Sequence, residues 1–119
     1  MTKLNRILTV LIHMRKYCNE IIETNEKFGN DFNEFETNHI YRNSVSMAIL
    51  QIGELINHLD ANYILKTNSI INWKQIKGMR NRFAHDYLDM DINMIFNTSI
   101  NDIPVLLNFL NQEISNFEI

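Results

Sequence analysis

Apolar residues recur at Leu4, Ile7, Leu8, Leu11, Met14, Cys18, Ile21 and Ile22. This i, i+3, i+4 rhythm predicts an amphipathic helix over residues 4–22. Gly29 and Asn30 mark its end or follow a frayed one. Residues 28–36 mix Phe28, Phe32 and Phe35 with acids and asparagines, the pattern of a connector pinned by its aromatics. Thr37 or Asn38 can cap a second long helix, whose stripe is Val45, Ala48, Ile49, Ile52, Leu55, Ile56 and Leu59. Residues 62–71 read as a loop. Asn72 looks like the cap of a short helix opening Trp73-Lys74-Gln75-Ile76, which Gly78 is expected to break, so that a separate element carries residues 79–87. Asp89 or Asp91 starts a further segment through Ile92, Ile95 and Phe96. Asp102 followed by Pro104 fits a fresh helix start, because proline is tolerated in a first turn. The last stripe is Val105, Leu106, Phe109, Leu110 and Ile114. The expectation is an all-α, up-and-down bundle of four to five helices in one domain over residues 1–119.

Composition supports that class. Three glycines and one proline in 119 residues are few for a β protein that must turn often, and the hydrophobic share of 45% is ordinary for a globular chain. No apolar run approaches the roughly 20 residues of a membrane span. The start, Met1-Thr2-Lys3-Leu4-Asn5-Arg6, leads into a stripe broken by Thr9, His13, Arg15 and Lys16, unlike a signal peptide. Cys18 is the single cysteine, which fits a reducing cytoplasm. The net charge of −3 argues against broad, non-specific nucleic-acid binding. A local basic site is still open: Lys74, Lys77, Arg80 and Arg82 fall within nine residues. A solvated helix face is the other reading of that cluster.

The same stretch holds the chemistry. Gly78-Met79-Arg80-Asn81-Arg82-Phe83-Ala84-His85-Asp86-Tyr87 contains the pattern R-x4-H-x-Y. Arginine offers phosphate oxygens a fixed fork of donors, and histidine exchanges a proton near neutral pH. On an ideal helix Asn81 and His85 share a face, so the Asn81 amide can orient the imidazole. Arg80 and Tyr87 also nearly align, whereas Arg80 and His85 diverge by roughly 140°. Either the helix ends between them, or a second copy of the motif completes the site. A purely structural role is open as well: Phe83 and Ala84 in the core, Arg80 and Arg82 paired with acids, His85 favoured at a helix C-terminus by the dipole.

Elsewhere the chemistry is sparse. His13, His39 and His58 lack the i, i+4 partner of a metal pair, so no metal site is expected. Cys18 lies on an apolar stripe and reads as a buried thiol. No G-x-x-x-x-G-K-[ST] or G-x-G-x-x-G cradle is present. Glu54 interrupts the second helix's stripe, either as a solvated residue or as the partner of a motif arginine. Gly53 before it costs about 1 kcal/mol relative to alanine in a helix, which suggests a close helix approach.

The run Arg80-Asn81-Arg82-Phe83-Ala84-His85-Asp86-Tyr87 resembles the R-N-x-x-x-H-x-Y signature of the HepT-like toxins, a branch of the HEPN superfamily. Ile52-Gly53-Glu54, Trp73-Lys74-Gln75-Ile76-Lys77-Gly78-Met79, Asp89-Met90-Asp91 and Asp102-Ile103-Pro104 match in the expected order. The resemblance implies an all-α homodimer with the two motifs across a shared cleft. It also implies a metal-independent ribonuclease that needs no cofactor and takes RNA, not DNA. Arg80 and His85 become its catalytic pair and Asn81 their supporting polar residue; Lys77, Arg82 and Glu54 are candidates for RNA contact or support. The implied partner is an MNT-type nucleotidyltransferase antitoxin that silences the toxin by adding AMP to Tyr87. The competing expectation is a non-catalytic nucleotide- or partner-binding module that supports such a nucleotidyltransferase.

Overall fold

A computed structural model describes residues 2–86 and 91–117, with the backbone alone for residues 82–86. Among the described residues every regular element is helical, as the apolar periodicity predicts. Four long helices carry the bundle: α1 (Lys3–Lys27), α3 (His39–Ile56), α5 (Trp73–Asp86) and α7 (Ile103–Phe117). Three short ones, α2 (Phe32–Thr37), α4 (Ala61–Thr67) and α6 (Ile92–Asn97), join them. Helix α1 packs on both α3 and α7, and α5 packs on α3. No described helix is long and apolar enough to cross a membrane.

Short polar side chains set the helix starts by accepting the free amides of the first turn. Thr2 takes the Asn5 amide at 3.1 Å and Asn72 that of Gln75 at 3.0 Å. Asn38, not Thr37, caps α3, accepting from Ile40 and Tyr41 at 3.0 and 3.3 Å. Asp91 caps α6 through Asn93 at 2.9 Å; the alternative start, Asp89, lies outside the described residues. At the end of α1, Gly29 and Asn30 take φ of 75° and 53°. Their amides return to the Glu26 and Asn25 carbonyls at 3.1 and 2.8 Å, the paired bonds of a Schellman ending, for which glycine suits the left-handed position.

Leu11, Met14 and Cys18 of α1, Val45, Ile49 and Ile52 of α3, Trp73 and Met79 of α5, and Leu106, Leu110 and Ile114 of α7 meet in one core. The connector after α1 is pinned by its aromatics as expected, although it also contains α2. Phe28 stacks on Tyr41 with centroids 4.5 Å apart, and Phe35 lies against both Tyr41 and Phe96 at 5.1 and 5.3 Å. Beside them Asn25 is buried and uses both ends of its amide, accepting from the Tyr41 hydroxyl and donating to Ser99 Oγ at 3.2 Å.

Three expectations need correcting. Residues 62–71 are not one loop, because α4 occupies Ala61–Thr67. Its Tyr63 is buried and donates to Glu113 Oε1 of α7 at 2.6 Å, so tertiary contacts hold a helix too short to show a period. Gly78 does not break α5, which runs unbroken from Trp73 to Asp86; burial of Trp73 and Met79 on either side outweighs the roughly 1 kcal/mol propensity cost. Nor does Asp102 begin a fresh helix. A π-helical turn over Thr98–Asp102 joins α6 to α7, with the Ile103 amide donating to the Thr98 carbonyl. Such a wide turn accommodates Pro104, whose ring would strike the carbonyl four residues earlier in a regular α-helix.

Candidate functional site

The site starts from a missing side chain. Gly53 lies buried on the face of α3 that meets α5. A Cβ placed there would overlap Arg80 Cβ and stand 3.1 Å from Arg80 Cγ. Only glycine lets α5 approach this closely, which explains its position inside a helix.

That approach decides the role of Glu54. The next residue along α3, it receives the Arg80 Nε–H through Oε1 in an ion pair, so it is the partner of a motif arginine while its carboxylate keeps a solvent-facing side. Arg80 Nη1 also donates to Asn81 Oδ1 at 3.1 Å. Two of the five guanidinium donors thus have acceptors on opposite sides of the α3–α5 seam. The side chains are 30% and 41% exposed, a setting in which an ion pair contributes only about 0–1 kcal/mol. Its consequence is geometric: it fixes the direction of a cation at the surface. Lys77, one turn before Arg80, is exposed, as is Lys74, and they extend the positive face of α5.

Of the other sequence candidates, Asn81 sits beside Arg80 instead of acting only through His85. A neighbour contact of this kind escapes a reading based on shared helix faces. The Arg82 and His85 side chains and the whole of Tyr87 lie outside the described residues. The backbone nevertheless settles one alternative. Because α5 continues to Asp86, the helix does not end between Arg80 and His85, and the roughly 140° separation of their positions applies.

His13, His39 and His58 are exposed, and no cluster of His, Cys, Asp and Glu suited to a metal occurs among the described residues. Cys18 is fully buried, and burial pushes its thiol up to about 12, which makes it an inert core group. A cleft of about 210 Å³ beside α5 is lined by Ile70, Gln75, Met79, Asp102 and Val105 among others. Among the described residues its charged group is an acid and it presents no cation, so it does not suit phosphate.

The family model described as Ribonuclease HepT-like matches residues 14–113, a span that includes Gly53, Glu54 and the whole R-x4-H-x-Y stretch. The chain belongs to the HepT-like family. Two curated relatives agree. "Putative RNase TTE0752" of Caldanaerobacter subterraneus subsp. tengcongensis is 28% identical over 96 residues, covering 81% of this chain and 83% of the relative. "Putative RNase MJ1380" of Methanocaldococcus jannaschii is 29% identical over 87 residues, covering 73% and 77%. No solved structure matches the chain. Within this HepT-like chain, the R-x4-H-x-Y stretch meets a second element at the α3–α5 seam, through Arg80 against Gly53 and Glu54.

Proposed function

We propose that this HepT-like protein is a metal-independent ribonuclease, the toxin of a toxin–antitoxin pair, built from a single domain over residues 1–119. The observation that carries the reading is the motif arginine, held at the surface by hydrogen bonds to Glu54 and Asn81. Family membership and the names of the two relatives support it.

The reaction follows from the residue types. His85 takes the proton of a ribose 2′-hydroxyl as general base. The freed oxygen attacks the adjacent phosphorus, the bond to the 5′-oxygen breaks, and that oxygen leaves with the proton that His85, now the general acid, returns. Arg80 stabilises the charge gathering on the phosphoryl oxygens, while Lys77 and Arg82 attract the RNA backbone. The products are a 2′,3′-cyclic phosphate and a 5′-hydroxyl. DNA lacks the nucleophile and is no substrate. Since Arg80 and His85 diverge on an unbroken α5, a homodimer is the natural assembly, one copy's arginine facing the partner's motif across the cleft. AMP added to Tyr87 by an MNT-type nucleotidyltransferase places bulk and negative charge beside the phosphate position and silences the enzyme.

The test incubates wild type, Arg80→Ala and His85→Ala with total RNA in EDTA and analyses the end groups. Cleavage by wild type to cyclic phosphate ends is expected, reduced about 100-fold or more in each variant. Cleavage of RNA whose 2′-hydroxyls are methylated would refute the mechanism. The net charge of −3 favours a second reading, a non-catalytic module supporting a nucleotidyltransferase. On that reading His85→Ala abolishes partner assembly and leaves RNA intact throughout.

A further inference from the structure

Two clefts adjoin at the end of the bundle where α1 begins, α3 ends and α4 begins. The first, of about 420 Å³, is lined by Lys3 and Arg6 of α1 and by His58 and Asp60 after α3, among others. Asp60 is engaged on both carboxylate oxygens, by the Lys3 ammonium at 3.3 Å and by the Tyr63 amide at 3.3 Å. Arg6 and His58 are exposed and leave this cleft basic. The positive end of the α1 dipole and the negative end of the α3 dipole oppose each other here, so the side chains set the sign. The second cleft, of about 440 Å³, shares Lys3, Ile7 and Asp60 with the first. Leu4, Tyr63 and Phe117 give it apolar walls, and Asn62 and Asn116 add amide groups. Its acid Glu113 already accepts from the Tyr63 hydroxyl at 2.6 Å. A basic cleft opening onto an aromatic, amide-lined one matches the two halves of a nucleotide, a phosphate and a base that stacks on rings and is read at its edge.

We propose that these adjoining clefts bind one nucleotide of single-stranded RNA away from the cleaved bond, its phosphate against Arg6 and His58 and its base between Leu4 and Phe117. The choice of RNA as ligand rests on the ribonuclease reading above. His58 stands one helical turn, about 6 Å along the axis, beyond Glu54, the partner of Arg80, so one strand can reach both places. A duplex would keep its bases stacked and out of the second cleft. The distribution of charge favours the same end of the molecule. Residues 20–36 carry six acids against one lysine, whereas the rest of the chain carries ten Lys and Arg against eight acids. Glu20, Glu23 and Glu26 lie on α1 roughly 20–30 Å from Arg6 at 1.5 Å per residue. A polyanion is repelled from that end and drawn towards the clefts, despite the net charge of −3.

The experiment measures binding of a fluorescent single-stranded RNA, methylated at every 2′-hydroxyl so that it is not cut, by anisotropy over a range of salt concentrations. Wild type is compared with Arg6→Gln, His58→Gln, Phe117→Leu and Lys16→Gln, the last removing the same charge as Arg6→Gln elsewhere on α1; circular dichroism confirms that each is folded. Arg6→Gln is expected to raise Kd about tenfold at low salt and to flatten the dependence of log Kd on log salt by about 0.7, the loss of one phosphate contact. His58→Gln raises Kd about threefold or more, and Lys16→Gln changes it less than about twofold. Phe117→Leu keeps an apolar side chain but loses the ring, and raises Kd about fivefold with the salt slope unchanged. On unmethylated RNA, Arg6→Gln raises KM and leaves kcat within about twofold, the mark of lost uniform binding. A dinucleotide, too short to span Arg80 and the clefts, is cut alike by both. Equal effects of Arg6→Gln and Lys16→Gln, unchanged binding in Phe117→Leu, or competition by a free mononucleotide as strong as that by the oligonucleotide overturns the proposal. Wild type that binds as described but cleaves nothing sinks the ribonuclease reading and leaves the clefts assigned; wild type that cleaves while Arg6→Gln binds normally does the reverse. Wild type that neither binds nor cleaves overturns both.

Discussion

Two helical glycines should respond to alanine with opposite signs. Gly78 lies within α5 and a Cβ there meets nothing within 4 Å. Gly78→Ala therefore gains helix propensity and loses unfolded-state entropy, a stabilisation of about 0.5–1 kcal/mol. Gly53→Ala gains the same propensity, about 1 kcal/mol. Its new Cβ, however, overlaps Arg80 Cβ and lies 3.1 Å from Cγ and 3.6 Å from Cα. These atoms sit at the root of the side chain and cannot swing away, so α3 and α5 must separate. Overpacking of this kind costs about 1–3 kcal/mol, and with overlap this close to the backbone we place it at the upper end. Net destabilisation is about 2 kcal/mol, separating the two variants by about 2.5–3 kcal/mol. Urea unfolding followed by helical circular dichroism, at fixed protein concentration, measures both. If Gly53→Ala proves as stable as Gly78→Ala, the close approach at Arg80 is not what the glycine serves.

Asn25 bridges Tyr41 and Ser99 inside the protein. Asn25→Ala strands the Tyr41 hydroxyl, while Ser99 keeps its bond to the Phe96 carbonyl, and should cost about 1–3 kcal/mol; a urea midpoint unchanged from wild type would show the network to be dispensable. Ser46 Oγ is buried without a hydrogen-bond partner among the described residues, so Ser46→Ala should be neutral or up to about 1 kcal/mol stabilising in the same assay, and a clear loss would reveal a contact the hydroxyl makes. For Cys18, burial holds the folded thiol up to about 12, against a usual value of 9.0. Above pH 9 the unfolded chain releases this proton and the folded one does not, so the unfolded state binds fewer protons and stability falls as pH rises towards 12. Unfolding free energies at pH 8 and 11 should fall less in Cys18→Ala than in wild type; equal slopes would mean the thiol ionises in place.

The long helices were legible because burial writes a 3.6-residue period into the chain. Val45, Ile49, Ile52 and Ile56 of α3 and Leu106, Leu110 and Ile114 of α7 all lie in the core as their spacing predicts. Elements without room for a period were not legible: α4 spans seven residues and is held by Tyr63 against Glu113, a contact 50 positions away. Gly78 misled because propensity is a local quantity, whereas α5 is sustained by what Trp73 and Met79 bury. The π-helical turn before Pro104 likewise answers to packing of the whole α6–α7 run.

The candidate site divides along the same line. The sequence alone determined which groups are available: the arginine and histidine at fixed helical spacing, a glycine whose cost called for an explanation, and an acid out of place in an apolar stripe. Spacing within one helix is enough for that, since 100° per residue fixes which positions share a face. Whether Glu54 would meet Arg80 was decided only when α3 and α5 packed at Gly53. The register between two helices depends on side-chain volumes meeting across a seam, and no periodicity within either helix encodes it.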